Sequence, residues 1–319
     1  MKRTINTNLA KKKDLFDVLA LSEAIGLPVL LIGDPGVAKT AAVMDYAGTA
    51  LGEISNNDIF LLETDEGTII NEIDKASASL RNSLLGVMNE KYIFNGTEKK
   101  KCQWDAFVAT CNEIPEDEIN SPFWDRFAIT FRVDRLREAD MLDYFARGGR
   151  ASKTQYVVNL PEPGEVEANL SSLDVKKIKK VMDLTYNKLS DRTLSYVPTL
   201  VANIMAVYTT NQDRAFVKAV ELLVGKTDAD ILAKSIMSRE LRGLYDKVDM
   251  IASCTTDDQY RKLMTEVNTI GEDLKAKGML KPEDEKDVIN RAMEAQDKLK
   301  FLSNEEEETE ALNALNQNA

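Results

Sequence analysis

The residues best suited to chemistry stand in "LIGDPGVAKT", Leu31 to Thr40. A glycine-bearing turn that leads into a helix aims several backbone N–H groups at one point, and the positive end of the helix dipole reinforces them. Gly33, Asp34, Pro35, Gly36, Val37, Ala38, Lys39 and Thr40 therefore read as a phosphate cradle, with Lys39 reaching the β/γ oxygens and Thr40 holding Mg²⁺. The spacing is that of G-x-x-x-x-G-K-[ST] except at Ala38, where the pattern has glycine. Alanine is tolerable there if it already begins the helix, and that is the expectation. A bare strand-to-helix turn is the plainer alternative, and the flanking elements weigh against it.

The chain has no histidine, and its three cysteines, Cys102, Cys111 and Cys254, show no C-x-x-C spacing. Histidine triads, histidine bases, a disulfide frame and zinc sites drop out. Any hydrolysis must run on carboxylates, Lys, Arg, Ser/Thr and a hard cation.

The elements that must position the cradle are legible around it. "KKDLFDVLALSEAIG" has helical apolar spacing and ends at Gly26, a plausible C-cap; "LPVLLIG" is a short apolar run suited to a strand buried on both faces; "TAAVMDYAGTAL" reads as a helix. Further strands are expected at "DIFLLET", "TIINEI", "DAFVATCNE" and "FAITFRV", with helices at "SASLRNSLLGVMNE" and "EINSPFWDRF". "KYIFNGTEKKKCQW" reads as a hairpin around Asn95-Gly96. After Arg135 the pattern turns helical, with "TQYVVNL" as the one candidate strand.

Lys+Arg number 41 against Asp+Glu 53, a net charge of −12 to which Glu305–Glu308 and Glu310 contribute. A mildly acidic body argues against wholesale coating of nucleic acid or an anionic membrane. No apolar run reaches the roughly 20 residues that span a bilayer, and the start lacks a signal-peptide core. A cytoplasmic protein without membrane contact is the expectation.

Four stretches in order, "GDPGVAKT", "NEIDKASASLRNSLLGVMNEKYIFNG", "FVATCNEIPEDEINSPFWDRF" and "LSDRT", resemble the motifs of AAA+ ATPases, most closely the MoxR branch, over roughly residues 12 to 225. In that family alanine before the loop lysine is common. The resemblance implies an α/β fold: an AAA+ P-loop NTPase three-layer α/β domain with a parallel central sheet, then an all-helical lid and a helical C-terminal extension. The corresponding boundaries are 1–135 for the nucleotide-binding domain, 136–225 for the lid and 226–302 for the extension, with an acidic tail over 303–319 expected to be disordered.

The resemblance also implies roles. Asn71-Glu72 falls on the Walker B Asp-Glu, Glu72 orienting the attacking water and Asn71 meeting the metal's water shell without a charge; Asp74 is a compensating acid. A solvated strand-to-helix junction is the alternative for Glu72 and Asp74. Asn112 matches sensor 1, Arg126 the arginine finger that reaches a neighbouring subunit, and Arg192 sensor 2, which feels the γ-phosphate. By itself Asn112 is an ordinary loop residue, and Arg126 an ordinary partner for Asp125. The implied cofactors are ATP and Mg²⁺, and a finger acting in trans implies a homo-oligomeric ring, usually a hexamer. The implied work is chaperone-like remodelling of a client, often a von Willebrand factor A-domain protein.

Two features pull elsewhere. Between Lys39 and Glu72 little chain remains for a parallel crossover, which takes about a dozen residues with its helix; "ETDEG" is too short for one, so an irregular edge is expected and a pore-threading loop is in doubt. Asp65-Glu66 is a competing Walker B, ranked lower on register. Lys99 to Lys101 are able to attract nucleic acid, the alternative partner, although a solvated hairpin is favoured. A weakly hydrolysing, nucleotide-stabilised scaffold is a further alternative.

Overall fold

The computed structural model describes residues 2–47, 52–53, 68–90, 92–95, 98–101, 107–116, 121–136, 141, 153–252, 254, 256–282, 284–293 and 295–296. In chain order the first elements are β1 (Lys2–Thr7), α1 (Lys13–Ile25), β2 (Val29–Ile32), α2 (Lys39–Ala47), β3 (Gly52–Glu53), β4 (Thr68–Ile70) and α3 (Ala78–Glu90). Strands β5 (Tyr92–Asn95), β6 (Glu98–Lys101), β7 (Val108–Cys111), β8 (Ile129–Arg132) and β9 (Thr154–Asn159) follow. The rest is helical: α4 (Pro163–Ser171), α5 (Val175–Thr185), α6 (Asp191–Val207), α7 (Gln212–Val224), α8 (Lys226–Ile236), α9 (Arg239–Ala252) and α10 (Asp257–Ala276). Two compact units result, Met1–Tyr208 with Ala215–Leu232, and Thr209–Arg214 with Ala233–Ala319.

In the first unit five parallel strands lie in the order β3-β4-β7-β2-β8. Every residue of β2 and β7 is buried, as a strand with helices on both faces requires. Side chains alternate between faces along a strand. Leu30, Ile32, Ile70, Ala109 and Cys111 accordingly share a core with Leu80, Leu84, Val87 and Met88 of α3 and with Phe123, Trp124 and Phe127. Helices α1 and α2 pack with each other, α1 against β8 and α2 against β7, which completes the three layers. Gly26 ends α1 at φ 71°, its N–H donating to the Ser22 carbonyl across 2.8 Å, a left-handed cap that suits glycine.

Several expectations change in detail. "TIINEI" is a strand only to Ile70; Ile73–Lys75 form a 3₁₀ turn. "SPFWDRF" is likewise held by a 3₁₀ turn, Trp124–Arg126. β4 lies between two parallel neighbours, Gly52–Glu53 and β7, and residues 54–67 fall outside the described residues. "DIFLLET" and Asp65-Glu66 fall outside the described residues, as do Cys102 and the acidic tail. The strand at "TQYVVNL" is real, and it pairs antiparallel with β1 at the chain start, which the sequence pattern did not disclose.

The second unit contains α9 and α10, which pack together, and a buried polar network. Arg214, 8% exposed, donates to Asp287 across 3.0 Å and to Asp249 across 2.6 Å. Tyr245 and Asn211 both donate to Asp284. Among the described residues no helix is long and apolar enough to cross a membrane.

Candidate nucleotide site

The site is assembled where strands β2, β4, β7 and β8 end, because each hands over to a loop at the same edge of the sheet. Open parallel sheets bind ligands at their carboxyl ends, next to the strand where the order reverses direction. Here that strand is β2, flanked by β7 and β8.

Gly33 leaves β2 under the β8 loop. A Cβ there would lie 2.4 Å from the Val133 carbonyl oxygen, so the close backbone approach admits no side chain. Gly36 has φ 82°, a conformation glycine adopts without penalty. Ala38 has φ 66° and α2 begins one residue later, at Lys39. It does not begin the helix, as expected from its type, but holds the left-handed position that the motif's last glycine would take. Its carbonyl nevertheless accepts the first helical bond, from Ala42 N–H at 3.0 Å.

Lys39 Nζ donates to the Gly33 carbonyl at 2.6 Å, the Asp34 carbonyl at 3.0 Å and Asn112 Oδ1 at 3.3 Å. The ammonium is thus folded into its own loop, and the sensor-1 candidate at the end of β7 meets it. Thr40 donates to Asn71 Oδ1 at 2.8 Å, and Thr110 donates to the same oxygen at 3.0 Å. The Glu72 backbone N–H in turn donates to Thr110 Oγ1 at 3.4 Å. Glu72 sits at φ 50°, with its carboxylate 3.0 Å from Lys75. Strained backbone of this kind concentrates at functional sites.

A cleft of about 600 Å³ opens over these groups, lined by Lys39, Thr40, Asn71, Glu72, Lys75 and Asn112 among others. Pro35, Gly36 and Ala38 line it too, whereas Gly33, Asp34 and Val37 do not. Asp34 pairs with Arg135 at 2.7 Å, after β8. Cys111, which also lines the cleft, has its thiol pushed up to about 12 by burial and by the charge of Asp74. Asp74 does not line the cleft, and its Oδ1 is buried without a hydrogen-bond partner.

The two arginines stand elsewhere. Arg126 donates to the Pro122 carbonyl and has its Nε buried without a partner. Burial, and next the charge of Arg192, lowers its pKa. Arg192, exposed in the first turn of α6, is therefore near Arg126 and does not line the cleft. Three residues around the site escaped the sequence reading: Thr110, Lys75 and Arg135. Thr110 alone had a readable signal, a buried polar residue in the apolar strand before Asn112. In the hairpin, Lys99 lies 4.1 Å from the centroid of the Tyr92 ring and 3.6 Å from Glu90, which fits the solvated-hairpin reading.

The residues present suit a magnesium nucleotide. The cradle has a glycine whose Cβ would collide, a lysine among loop carbonyls and a hydroxyl beside an amide oxygen. Among the described residues no cluster of three or more His, Cys, Asp or Glu is grouped to hold a metal ion.

The geometry defines a P-loop protein whose site lies at the carboxyl edge of a parallel α/β sheet. Residues 50–162 match the model of the MoxR domain in the MoxR-vWA-beta-propeller ternary systems. Over that stretch, about a third of its length, the chain is similar to the MoxR domain of those systems. It is 22% identical over 228 residues to the uncharacterized protein MJ0079 of Methanocaldococcus jannaschii, covering 60% of each chain. It is also 26% identical over 194 residues to the structural protein ORF618 of Acidianus two-tailed virus, covering 50% of this chain and 30% of that one. The chain thus spans less than two thirds of the length of these curated relatives. A crystal structure of a candidate ATPase from Cytophaga hutchinsonii is similar at TM-score 0.49 and 14% identity, over 66% of this chain and 81% of that one.

Proposed function

We propose that the protein binds Mg-ATP in this cleft and hydrolyses it as a ring-forming remodelling ATPase. The observation that supports the reading is the convergence of Lys39, Thr40, Asn71 and Asn112 from three adjacent strand ends, in two hydrogen-bonded pairs, Lys39–Asn112 and Thr40–Asn71. Lys39 exchanges its loop carbonyls for phosphate oxygens, and Asn112, already on Lys39, is placed to meet the terminal phosphate. Mg²⁺, when bound, neutralises phosphate charge and orients the transferred group. Thr40 and, through water, Asn71 hold it; Asp74 turns toward it only with a side-chain rearrangement. Glu72 orients the attacking water once released from Lys75.

Arg126, half-buried and outside the lining of the cleft of its own chain, is suited to act on the nucleotide of a neighbouring copy. Arg192 reaches its own nucleotide if the lid closes. The family match to MoxR-vWA systems supports a von Willebrand factor A-domain client. The Thr40–Asn71 bond also favours a second reading, a slow, nucleotide-stabilised scaffold, because a neutral amide contributes no charge to the metal.

Turnover measured against protein concentration tests this. The motor reading expects specific activity to rise with concentration, Glu72→Gln and Arg126→Ala to abolish turnover while nucleotide binding persists, and Lys39→Ala to abolish binding. Activity independent of concentration in a monomeric protein would sink the ring; tight binding with negligible turnover would select the scaffold.

A further inference from the structure

Glu72 and Lys75 stand on one short turn beside the cleft. The Lys75 N–H donates to the Glu72 carbonyl at 2.9 Å, the Glu72 N–H donates to Thr110 Oγ1 at 3.4 Å, and Ile73 and Ala76 are buried. The backbone is thereby fixed, and any exchange of partners falls to the two side chains. Their charged ends meet at 3.0 Å, with 61% of the lysine side chain and 60% of the glutamate side chain exposed. An ion pair so open to water holds its members weakly, so a stronger anion in reach takes the lysine from it.

The lining of the cleft suits such an anion. Among its described residues Lys39 and Lys75 are the cations, and Glu72 is the one carboxylate. While Lys75 is paired with Glu72 the two charges cancel, and Lys39 is left to face a ligand from among the Gly33 and Asp34 carbonyls and Asn112 Oδ1. A nucleoside triphosphate carries one more charged phosphoryl group than a diphosphate, and the neutral Asn71 attracts a metal to balance it less than a carboxylate would. Lys75, a compact charge on a flexible stem, is the lining group able to supply the missing positive charge.

We propose that Lys75 is a second phosphate-binding cation that selects triphosphate over diphosphate: without ligand it holds the Glu72 carboxylate, and it exchanges that carboxylate for the terminal phosphate when a triphosphate enters. This rests on the nucleotide reading of the cleft. Two consequences follow from the exchange. The Glu72 carboxylate is released only when the group to be attacked is present, and an ammonium takes over part of the charge that Mg²⁺ supplies.

The test is equilibrium titration of the full chain with two fluorescent nucleotides, a non-hydrolysable ATP analogue and ADP, each in Mg²⁺ and in EDTA. Lys75→Met is expected to weaken the triphosphate by about tenfold in EDTA, the worth of one charge-assisted contact, and by less in Mg²⁺. It should leave ADP unchanged, which controls for folding of the cleft, and Lys75→Arg should keep most of the triphosphate affinity. Glu72→Gln, which frees the lysine, should tighten triphosphate binding more with Lys75 present than in the Lys75→Met background. In turnover, Lys75→Met should raise KM for ATP with kcat undiminished. Unchanged triphosphate affinity, or equal weakening of both nucleotides, overturns the proposal. Binding that Lys39→Ala abolishes and Lys75→Met leaves alone overturns the role of Lys75 only; wild-type protein that binds neither nucleotide sinks the nucleotide reading and this proposal with it.

Discussion

Thr40 Oγ1 and Asn71 Oδ1 lie 2.8 Å apart, so the hydroxyl suited to hold the metal donates to the amide suited to steady its water. Thr110 shares that oxygen. A carboxylate at position 71 would accept the same two bonds and add a negative charge within a few ångströms of the cation. Asn71→Asp is therefore expected to lower the Mg²⁺ concentration needed for nucleotide binding by about tenfold, since about 1.4 kcal/mol of added attraction is a factor of ten. Titration of Mg²⁺ against a fluorescent nucleotide checks this; an unchanged midpoint would remove Asn71 from the metal's surroundings.

The cradle makes a pair of opposed predictions about glycine. Ala38 occupies φ 66°, which costs an L-residue roughly 1–2 kcal/mol, partly offset because glycine loses more chain entropy on folding. Ala38→Gly should then stabilise by about 0.5 kcal/mol. Gly33→Ala should do the reverse, by about 2 kcal/mol or more, because its Cβ meets the Val133 carbonyl at 2.4 Å. Denaturant midpoints for the two variants must move in opposite directions.

How much of this was readable in the sequence depends on the range of the interaction. The β2 run, the Gly33–Thr40 turn and the Gly26 cap are local, set by apolar continuity and by residues tolerant of positive φ, and they stand where the pattern puts them. The β1–β9 pair joins residues at opposite ends of the α/β unit, and nothing in either strand names the other. Ala38 misled because side-chain type suggested helical angles, whereas the loop imposes the glycine conformation regardless. Thr110, Lys75 and Arg135 became visible only when separate strand ends met. The diversion of Glu72 to Lys75 is a matter of side-chain geometry, which no motif spacing carries.

Acid should expose the link between β1, α1 and α2. Glu23 takes both guanidinium nitrogens of Arg3, at 2.7 and 2.9 Å, and the Tyr46 hydroxyl at 2.5 Å. Burial pushes its pKa up, but the bonds to Arg3 and Tyr46 outweigh that and leave it below the ordinary 4.5. A depressed carboxylate contributes stability that is present above the unfolded pKa and lost as pH falls through the folded one. Glu23→Gln should therefore lower Tm at neutral pH and flatten its fall below about pH 4.5. Equal displacement of the whole Tm–pH curve would contradict the assignment.

The second unit rests on a charge network that tolerates little loss. Arg214 and Asp287 are 8% and 3% exposed at their side chains and 3.0 Å apart. Removing one member of a buried pair leaves the other uncompensated, typically at about 3–5 kcal/mol. Arg291 also approaches Asp287, at 3.7 Å, and Asp249, at 3.2 Å, so it can take over part of the compensation. Arg214→Met is expected to cost about 3 kcal/mol, at the low end of that range, and Arg214→Met with Arg291→Met distinctly more than the sum of the two alone. Because the network ties Thr209 and Asn211 to Asp287 and Asp284, the loss should appear as faster amide exchange in α9 and around residues 284–293. It should leave exchange in β2 and β7 unchanged. Additive single and double variants would show that the two arginines do not share Asp287.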